Sequence, residues 1–203
     1  MSKTPVSFRV PTKLWEGFTS QANALFLNRG PFLDHMLSVE LPHLQEDLKG
    51  LALSMRAKRF ISGAIKKEVP LSPNVNIEVH TDTANLLRAL AKEHNLVRDA
   101  FFCRLLVLLR CSDTLLEYLE VPPHASDRGL NVLLEEMPTS PMKALEAVRD
   151  NPLYYLREHV EHIHGCGLYR VALPIPTLHC YIEDEHVAGT RANARLSKLL
   201  RML

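Results

Sequence analysis

The chain has 203 residues, of which 46% are apolar, and its formal net charge is +1. This composition excludes a wholly disordered chain, and no apolar run reaches the roughly 18 residues that a membrane-spanning helix requires. The charge is unevenly distributed, because residues 1–70 carry ten Lys or Arg against six Asp or Glu, whereas residues 111–203 carry nine against thirteen. The basic first part is where an anionic partner would be met.

The cysteines and the first residues indicate a reducing compartment. The four cysteines form no paired Cys-x-x-Cys motif, and the first residues lack the long apolar core of a secretory signal. We therefore expect a reduced, cytoplasmic protein. The cysteines are Cys103, Cys111, Cys166 and Cys180.

One 32-residue pattern occurs twice, at residues 6–37 and at residues 75–106, with a constant offset of 69 positions and no gap. Eight positions are identical in the two copies, whereas about two would match by chance at ordinary composition. A repeated supersecondary unit usually means that one copy cannot bury its apolar face alone. The identical pairs are Val6/Val75, Val10/Val79, Thr12/Thr81, Ala22/Ala91, Leu27/Leu96, Arg29/Arg98, Phe32/Phe101 and Leu37/Leu106.

Each copy predicts a short strand followed by two helices. Apolar and polar residues alternate strictly at the start of each copy, which is typical of a strand with one buried face. Thr12 and Thr81 are residues of the type that caps the N-terminus of a helix. Asn28 and Asn95 mark the turn between the two helices. The alternating apolar residues are Val6, Phe8 and Val10 in copy one and Val75, Ile77 and Val79 in copy two.

This order of elements resembles the ribbon-helix-helix family of DNA-binding proteins, the Arc/MetJ class. The resemblance covers about 64 residues, in two gapless blocks. It implies that the two strands pair antiparallel and that four helices pack beneath them. It also implies that the outward side chains of the ribbon enter the major groove and read base edges. The amides at the start of each second helix would hold phosphates.

The resemblance assigns roles to ten residues by position. Arg9 can donate to guanine, and Asn76 can pair in bidentate fashion with adenine. Glu78 departs from the expected pattern, since phosphates repel a carboxylate, although it can accept from cytosine N4. The base-reading candidates are Pro5, Ser7 and Arg9 from one strand and Asn74, Asn76 and Glu78 from the other; the phosphate-holding candidates are Asn28, Arg29, Val97 and Arg98.

The predicted fold class is an α-rich α+β protein, in which tandem ribbon-helix-helix units form a two-stranded antiparallel ribbon over helices. We expect a DNA-binding module over residues 1–112. Its copies lie at residues 5–38 and 74–110, and a helical spacer occupies residues 41–67. A mostly helical C-terminal module, residues 113–203, would serve oligomerisation, partner binding or effector sensing.

Within the C-terminal module, Asn151-Pro152 is a good helix start, and the helix should end at Gly165. We expect short strands over residues 168–173 and 178–182, and a last helix over residues 190–202. No nucleophile elbow, P-loop or dinucleotide fingerprint occurs in the sequence. We therefore expect no enzymatic activity.

Histidines and cysteines are concentrated in the C-terminal module, where His159, His162, His164 and Cys166 lie within eight residues. Imidazole and thiolate are ligands that zinc, nickel and copper prefer. A metal-responsive DNA-binding protein is therefore one alternative. The spacing matches no strong zinc signature, so we assign no metal site and no cofactor.

The function expected from the repeat is sequence-specific binding of double-stranded DNA by a transcriptional repressor. A second possibility is an accessory protein of a plasmid relaxosome or partition system that binds an oriented origin site. A third is a protein–protein adaptor in which the repeats only build a scaffold. We expect self-association and no membrane partner. The sequence leaves open whether the two copies pair within one chain or between chains.

Overall fold

The computed structural model describes residues 2–70, 74–121, 150–184 and 187. Within them it contains seven α-helices, one 3₁₀ helix and one two-stranded antiparallel sheet, so the predicted helix-rich α+β class is confirmed. No helix in these ranges is long and apolar enough to cross a bilayer. In chain order the elements are β1 (Lys3–Phe8), α1 (Thr12–Ala24), α2 (Arg29–Asp47), α3 (Met55–Glu68), β2 (Val75–His80), α4 (Thr81–Glu93), α5 (Arg98–Arg110), α6 (Asp113–Tyr118), α7 (Tyr154–His164) and the 3₁₀ helix Pro176–Leu178.

The strands of the two copies pair with each other within one chain and form a ribbon. Their inward side chains are buried, whereas the outward ones are exposed or half-buried, as the strand period of two requires. Phe8 stacks on Phe102 of α5, with ring centroids 4.0 Å apart, and this contact joins the ribbon to the helices. The buried set is Val6, Phe8, Val10, Val75, Ile77 and Val79.

The helices of the two copies interlock. α1 of copy one packs against α5 of copy two, and α2 of copy one packs against α4 of copy two. β2 lies against α2, and β1 lies against α5. Each copy therefore buries its apolar face against the other copy, as a repeated unit too small for a core of its own requires.

The backbones of the two copies agree at equivalent positions. α1 and α4 both span 13 residues, and α2 and α5 begin at the equivalent residues Arg29 and Arg98. In the intervening turns, the equivalent residues Phe26 and Asn95 both have a φ of 54°. Asn28 lies in the connection between α1 and α2, as predicted, where it is the extended N-cap of α2, and Phe26 is the residue that adopts the left-handed conformation.

α2 is longer than its apolar stripe predicts, since it continues through Pro42 to Asp47. The first part of the predicted spacer, residues 41–67, therefore belongs to α2, and the rest includes α3. In copy two the equivalent stretch is interrupted at Cys111, whose φ is 43°, and α6 follows. α3 packs beside α5 and the 3₁₀ helix.

Residues 150–184 pack onto the helices of both copies and share one continuous hydrophobic core with them. The predicted module boundary near residue 112 stays a prediction. α7 begins at Tyr154, because Asn151 and the two residues after it form a turn. It ends at Gly165, as predicted, where a φ of 61° suits glycine. The predicted helix over residues 190–202 lies outside the described residues.

The segment of residues 165–184, here called the C-terminal strap, contains no strand, so the prediction of two strands over residues 168–173 and 178–182 is wrong. It forms turns and the 3₁₀ helix instead. In a sheet, the carbonyl groups of one strand accept hydrogen bonds from a neighbouring strand. In the strap, carbonyl groups accept hydrogen bonds from the Arg104 side chain of α5 instead. Pro174 and Pro176 also lack the N–H groups that a sheet needs.

Arg104 is fully buried. Its Nη2 donates to the carbonyl oxygens of Leu168, at 2.6 Å, and Val171, at 2.7 Å, and its Nη1 donates to that of Leu178, at 3.4 Å. Burial lowers the pKa of Arg104 below its ordinary value. The strap is therefore held to copy two by a buried cation that is surrounded by carbonyl oxygens.

A second buried network joins the strap to α2. The Glu40 carboxylate accepts hydrogen bonds from Arg157 Nη2 and Tyr169 Oη, each at 2.6 Å. Burial and the charge of Glu40 raise the pKa of Tyr169 well above its ordinary value. The backbone N–H of Tyr169 donates to Asp47 at 2.8 Å, and a Cβ at Gly167 would collide with the Asp47 carboxylate. Close approach of the strap to α2 therefore requires glycine at this position.

Candidate nucleic-acid interface

The register of the ribbon gives the repeat an approximate two-fold axis. Ser7 pairs with Asn76, and these residues are equivalent because they lie 69 positions apart. Beside them Val6 pairs with Ile77, which is the counterpart of Phe8. The axis therefore passes through the Ser7–Asn76 pair, in the middle of the outward face.

The central pair is internally bonded. Ser7 Oγ donates to Asn76 Oδ1 at 2.6 Å. Bidentate pairing with adenine uses both the oxygen and the nitrogen of an asparagine amide. The Ser7 hydroxyl occupies one of the two lone pairs of Asn76 Oδ1 and orients the Asn76 amide, so one lone pair and the NH₂ group remain for a base.

The other outward candidates differ in whether their side chains are already bonded within the protein. Asn74 is bonded to the main chain of Val10, since its Oδ1 accepts from the Val10 N–H at 3.0 Å and its Nδ2 donates to the Val10 carbonyl at 2.8 Å. Asn74 thus extends the ribbon with its side chain. Pro5 lies opposite Glu78 at the other end of the face, and both are exposed. Among the five outward residues Pro5, Ser7, Asn74, Asn76 and Glu78, only Pro5 and Glu78 make no side-chain hydrogen bond to another part of the described chain.

Arg9 lies close to the start of α5. The Asp99 carboxylate accepts a hydrogen bond from the Arg9 N–H and is close to the charges of Arg98 and Arg9. Burial raises the pKa of Asp99 above its ordinary value, and those three interactions oppose the rise. The structure therefore brings a base-reading candidate, Arg9, and a phosphate-holding candidate, Arg98, around one carboxylate.

The first turns of α2 and α5 lie at equivalent positions in the two copies. Neither N-cap residue, Asn28 or Val97, makes a side-chain capping bond, so the first two amides of each helix remain available for an anion. The third position offers none, since Pro31 has no N–H and the Ala100 N–H donates to the Val97 carbonyl. Val97 is buried and can contribute only its main chain. Arg29 Nη1 donates to Thr19 at 3.2 Å. The four phosphate-holding candidates thus form two equivalent groups.

Copy two carries additional chain over the turn that precedes α5. The Leu53 N–H donates to the His94 carbonyl at 2.9 Å, and Asn95 Nδ2 donates to the Leu53 carbonyl at 2.8 Å. Lys58 Nζ donates to Asn95 Oδ1 at 2.7 Å, and a His94 ring nitrogen lies 2.7 Å from the Leu51 carbonyl. The segment that enters α3 is therefore fixed beside the start of α5.

Sequence reasoning missed the polar contact at the far end of the ribbon. Lys3 pairs with His80 there, and Asp34 of α2 is nearly fully buried beneath it. Asp34 Oδ1 accepts from the His80 N–H at 2.9 Å, and its Oδ2 lies 2.6 Å from His80 Nδ1. Continued alternation of the strand pattern would have indicated Lys3 and His80 as outward residues. Asp34 carries no such signal, since it lies within an apolar stripe.

The histidine-rich segment does not gather into a metal centre in the residues that the structure describes, because no three His, Cys, Asp or Glu side chains lie close enough to share an ion. His159, His162 and His164 lie on α7, and Cys166 follows in the strap. His164 Nε2 lies 3.0 Å from the Leu119 carbonyl. This contact gives His164 a role in packing α7 against the chain after α6.

Comparison of the chain with protein-family models, with curated proteins and with solved structures finds no match.

Proposed function

We propose that the protein binds double-stranded DNA in a sequence-specific manner, with the outward face of the ribbon in the major groove. The observation that carries this proposal is the pairing of two equivalent strands about an axis through Ser7 and Asn76. Their polar side chains face outward, and an uncapped helix start with an arginine lies in each copy. A two-stranded ribbon has dimensions that fit the major groove.

The two halves of the proposed site differ in chemistry. Arg9 in copy one corresponds to Glu78 in copy two, and Gly30 at the start of α2 corresponds to Asp99 at the start of α5. Because both copies belong to one chain, every bound molecule carries this same asymmetry. We therefore expect a non-palindromic site that is bound in one orientation, whereas a homodimer would favour a palindrome.

The proposed biological role is that of a transcriptional repressor whose bound site overlaps a promoter. An oriented site equally suits an accessory protein that marks a plasmid origin for transfer or partition. The position of the preferred site, next to a promoter or within an origin, distinguishes these two roles.

The test is selection of bound duplexes from a random DNA pool at about 50 mM salt, followed by sequencing. We expect enrichment of a non-palindromic motif, with a preferred base that changes in the Arg9→Ala protein. Lys13→Ala serves as a matched control, since it removes one cation from the exposed side of α1. Absence of both enrichment and retention at low salt would contradict the proposal.

A further inference from the structure

The first turn of α3 carries cations beside the start of α5. Arg56 and Arg59 are exposed, and Lys58 is bonded to Asn95, three residues before Arg98. No acidic side chain lies within ion-pair distance of Arg56 or Arg59 in the part of the chain that the structure describes. One cation, Lys58, is thus bonded beside one of the two proposed phosphate sites, and Arg56 and Arg59 are its exposed neighbours at the start of α3.

α3 packs against α5. The first turn of α3 lies at the start of α5, because Lys58 and Asn95 are bonded there. The segment that enters α3 bonds to the same turn, since the Leu53 N–H donates to the His94 carbonyl. The N-terminal end of α3 therefore lies beside the turn that leads into α5.

The charged groups around this turn are of both signs. Ser54 caps α3 by accepting from the Ala57 N–H, and its hydroxyl also donates to the exposed Asp184 carboxylate. Glu183 immediately precedes Asp184 and lines the same cavity as Phe60 of α3. The carboxylates of Asp184 and Glu183 offset part of the positive charge at the helix start, and the three cations at the start of α3 outnumber these two carboxylates.

The equivalent place in copy one has different chemistry. The turn before α2 exposes Leu25 and Phe26, and 97% of the Phe26 surface is accessible. Within the described residues, no chain segment bonds to this turn as Leu53 and Lys58 bond to that of copy two. In the described residues, the cations of α3 therefore add positive charge beside the turn of copy two, and no equivalent segment does so beside the turn of copy one.

We propose that the first turn of α3, through Arg56 and Arg59, binds phosphates of the DNA flank on the copy-two side, beyond the base pairs that the ribbon reads. This inference rests on the proposed function. The protein then covers a longer flank on one side of its site than on the other. The excess contact is electrostatic and adds affinity without adding sequence preference.

The experiment measures how affinity depends on salt, with the selected duplex as the probe and salt between about 0.1 and 0.3 M. Each phosphate contact adds about 0.9 to the slope of log affinity against log salt, so Arg56→Ala/Arg59→Ala should lower that slope by about 1.8. Lys66→Ala/Lys67→Ala removes two exposed cations from the other end of the same helix. That end is about 15 Å away, which is beyond the screening length of about 10 Å. The salt slope of the Lys66→Ala/Lys67→Ala variant should therefore equal that of the wild type.

A second readout uses duplexes shortened on one flank or the other. The wild-type protein should lose more affinity when one particular flank is removed, and Arg56→Ala/Arg59→Ala should lose this difference. Arg56→Lys/Arg59→Lys keeps both charges and should restore the wild-type slope. Thermal unfolding of each variant checks that its fold is intact, which we expect because the substituted side chains are exposed.

The outcomes separate the two proposals. If the wild-type protein binds the selected duplex but the alanine variant keeps its slope and its flank preference, the α3 contact is refuted and the proposed function stands. Equal losses in the two double-alanine variants would also refute it, since they would report net charge alone. If the wild-type protein binds no duplex at low salt, both proposals fail.

Discussion

The turns before α2 and α5 have the same backbone conformation, but the turn before α2 is exposed and the turn before α5 is covered by other residues of the chain. Leu25 and His94 both end their helices at φ −92° and ψ 7°, and the residues that follow both have a φ of 54°. His94 is buried and bonded to residues that lead into α3. Leu25, in contrast, is 61% exposed.

This difference shows which properties belong to the repeat and which to its neighbours. The turn conformation follows from the local sequence of the unit, which both copies share. Burial depends on what packs over the turn, and in the described residues the segment that leads into α3 bonds to the turn of copy two and not to that of copy one. Equivalent positions in the two copies therefore provide matched controls for each other.

The largest effect on the free energy of unfolding is expected at two equivalent positions, Arg104 in α5 and His35 in α2. Arg104→Met should lower the free energy of unfolding by about 3 kcal/mol, because it leaves buried carbonyl groups of the strap without donors. His35→Met should cost less than about 1 kcal/mol, since the His35 side chain is 41% exposed. Urea unfolding of both variants measures the difference, and equal losses would show that the strap does not depend on Arg104.

Exchanging the residues at the equivalent turn positions, Phe26 and Asn95, should have the next largest effect on the free energy of unfolding. Asn95→Phe should cost about 2 kcal/mol, because it removes the bonds to Leu53 and Lys58. Phe26→Asn should raise stability by about 0.5 kcal/mol, since asparagine tolerates a positive φ better than phenylalanine does. Thermal unfolding measures both. A loss of stability in Phe26→Asn would mean that Phe26 is covered.

Arg9 and Glu78, which are equivalent positions in the two copies, test the asymmetry of the proposed DNA site. Arg9→Ala should lose about 1.5 kcal/mol of discrimination at one base pair, since a specific arginine contact contributes about that much. Glu78→Gln should instead strengthen binding to all duplexes, because it removes a carboxylate that phosphates repel. Binding to the selected duplex and to a scrambled duplex distinguishes these results. An unchanged base preference in Arg9→Ala would show that the ribbon does not read DNA.

The smallest effect is expected at the two helix starts. Arg29→Ala should lower the salt slope of DNA binding by about 0.9 and weaken binding to all sequences alike. Arg98→Ala should have a smaller effect, because Asp99 already offsets part of the Arg98 charge, whereas Gly30 takes that place beside Arg29. Salt titrations of the two variants measure both slopes. A larger change for Arg98→Ala would reverse the proposed ranking of the two sites.

The repeat made much of the N-terminal architecture predictable. Strict alternation predicted two strands with one buried face, and both form, because the period of two is a local property of the chain. Because the two copies align at a constant offset of 69 residues, their second helices were expected to begin at equivalent residues. The structure confirms this, since α2 begins at Arg29 and α5 at Arg98. The end of α7 at Gly165 was equally local, since glycine adopts a positive φ without strain.

Contacts between distant segments could not be predicted in this way. Alternation identified Asn74 as an outward residue, but only the neighbouring strand makes its amide a partner of the Val10 main chain. The apolar strap residues fit a strand pattern, yet no strand lies beside them, and Arg104 satisfies their carbonyl groups instead. The physical reason is that a polar group takes whichever partner tertiary packing brings within reach.

By itself, therefore, the sequence determined the repeated unit, its alternating faces and the uneven distribution of charge. The tertiary structure decided that the two strands pair within one chain, with Ser7 opposite Asn76. It also decided that α3 lies against copy two while Leu25 and Phe26 of copy one remain exposed. Local patterns depend on residues a few positions apart. The pairing of strands and the covering of turns depend on residues tens of positions apart, whose approach is settled only when the whole core is packed.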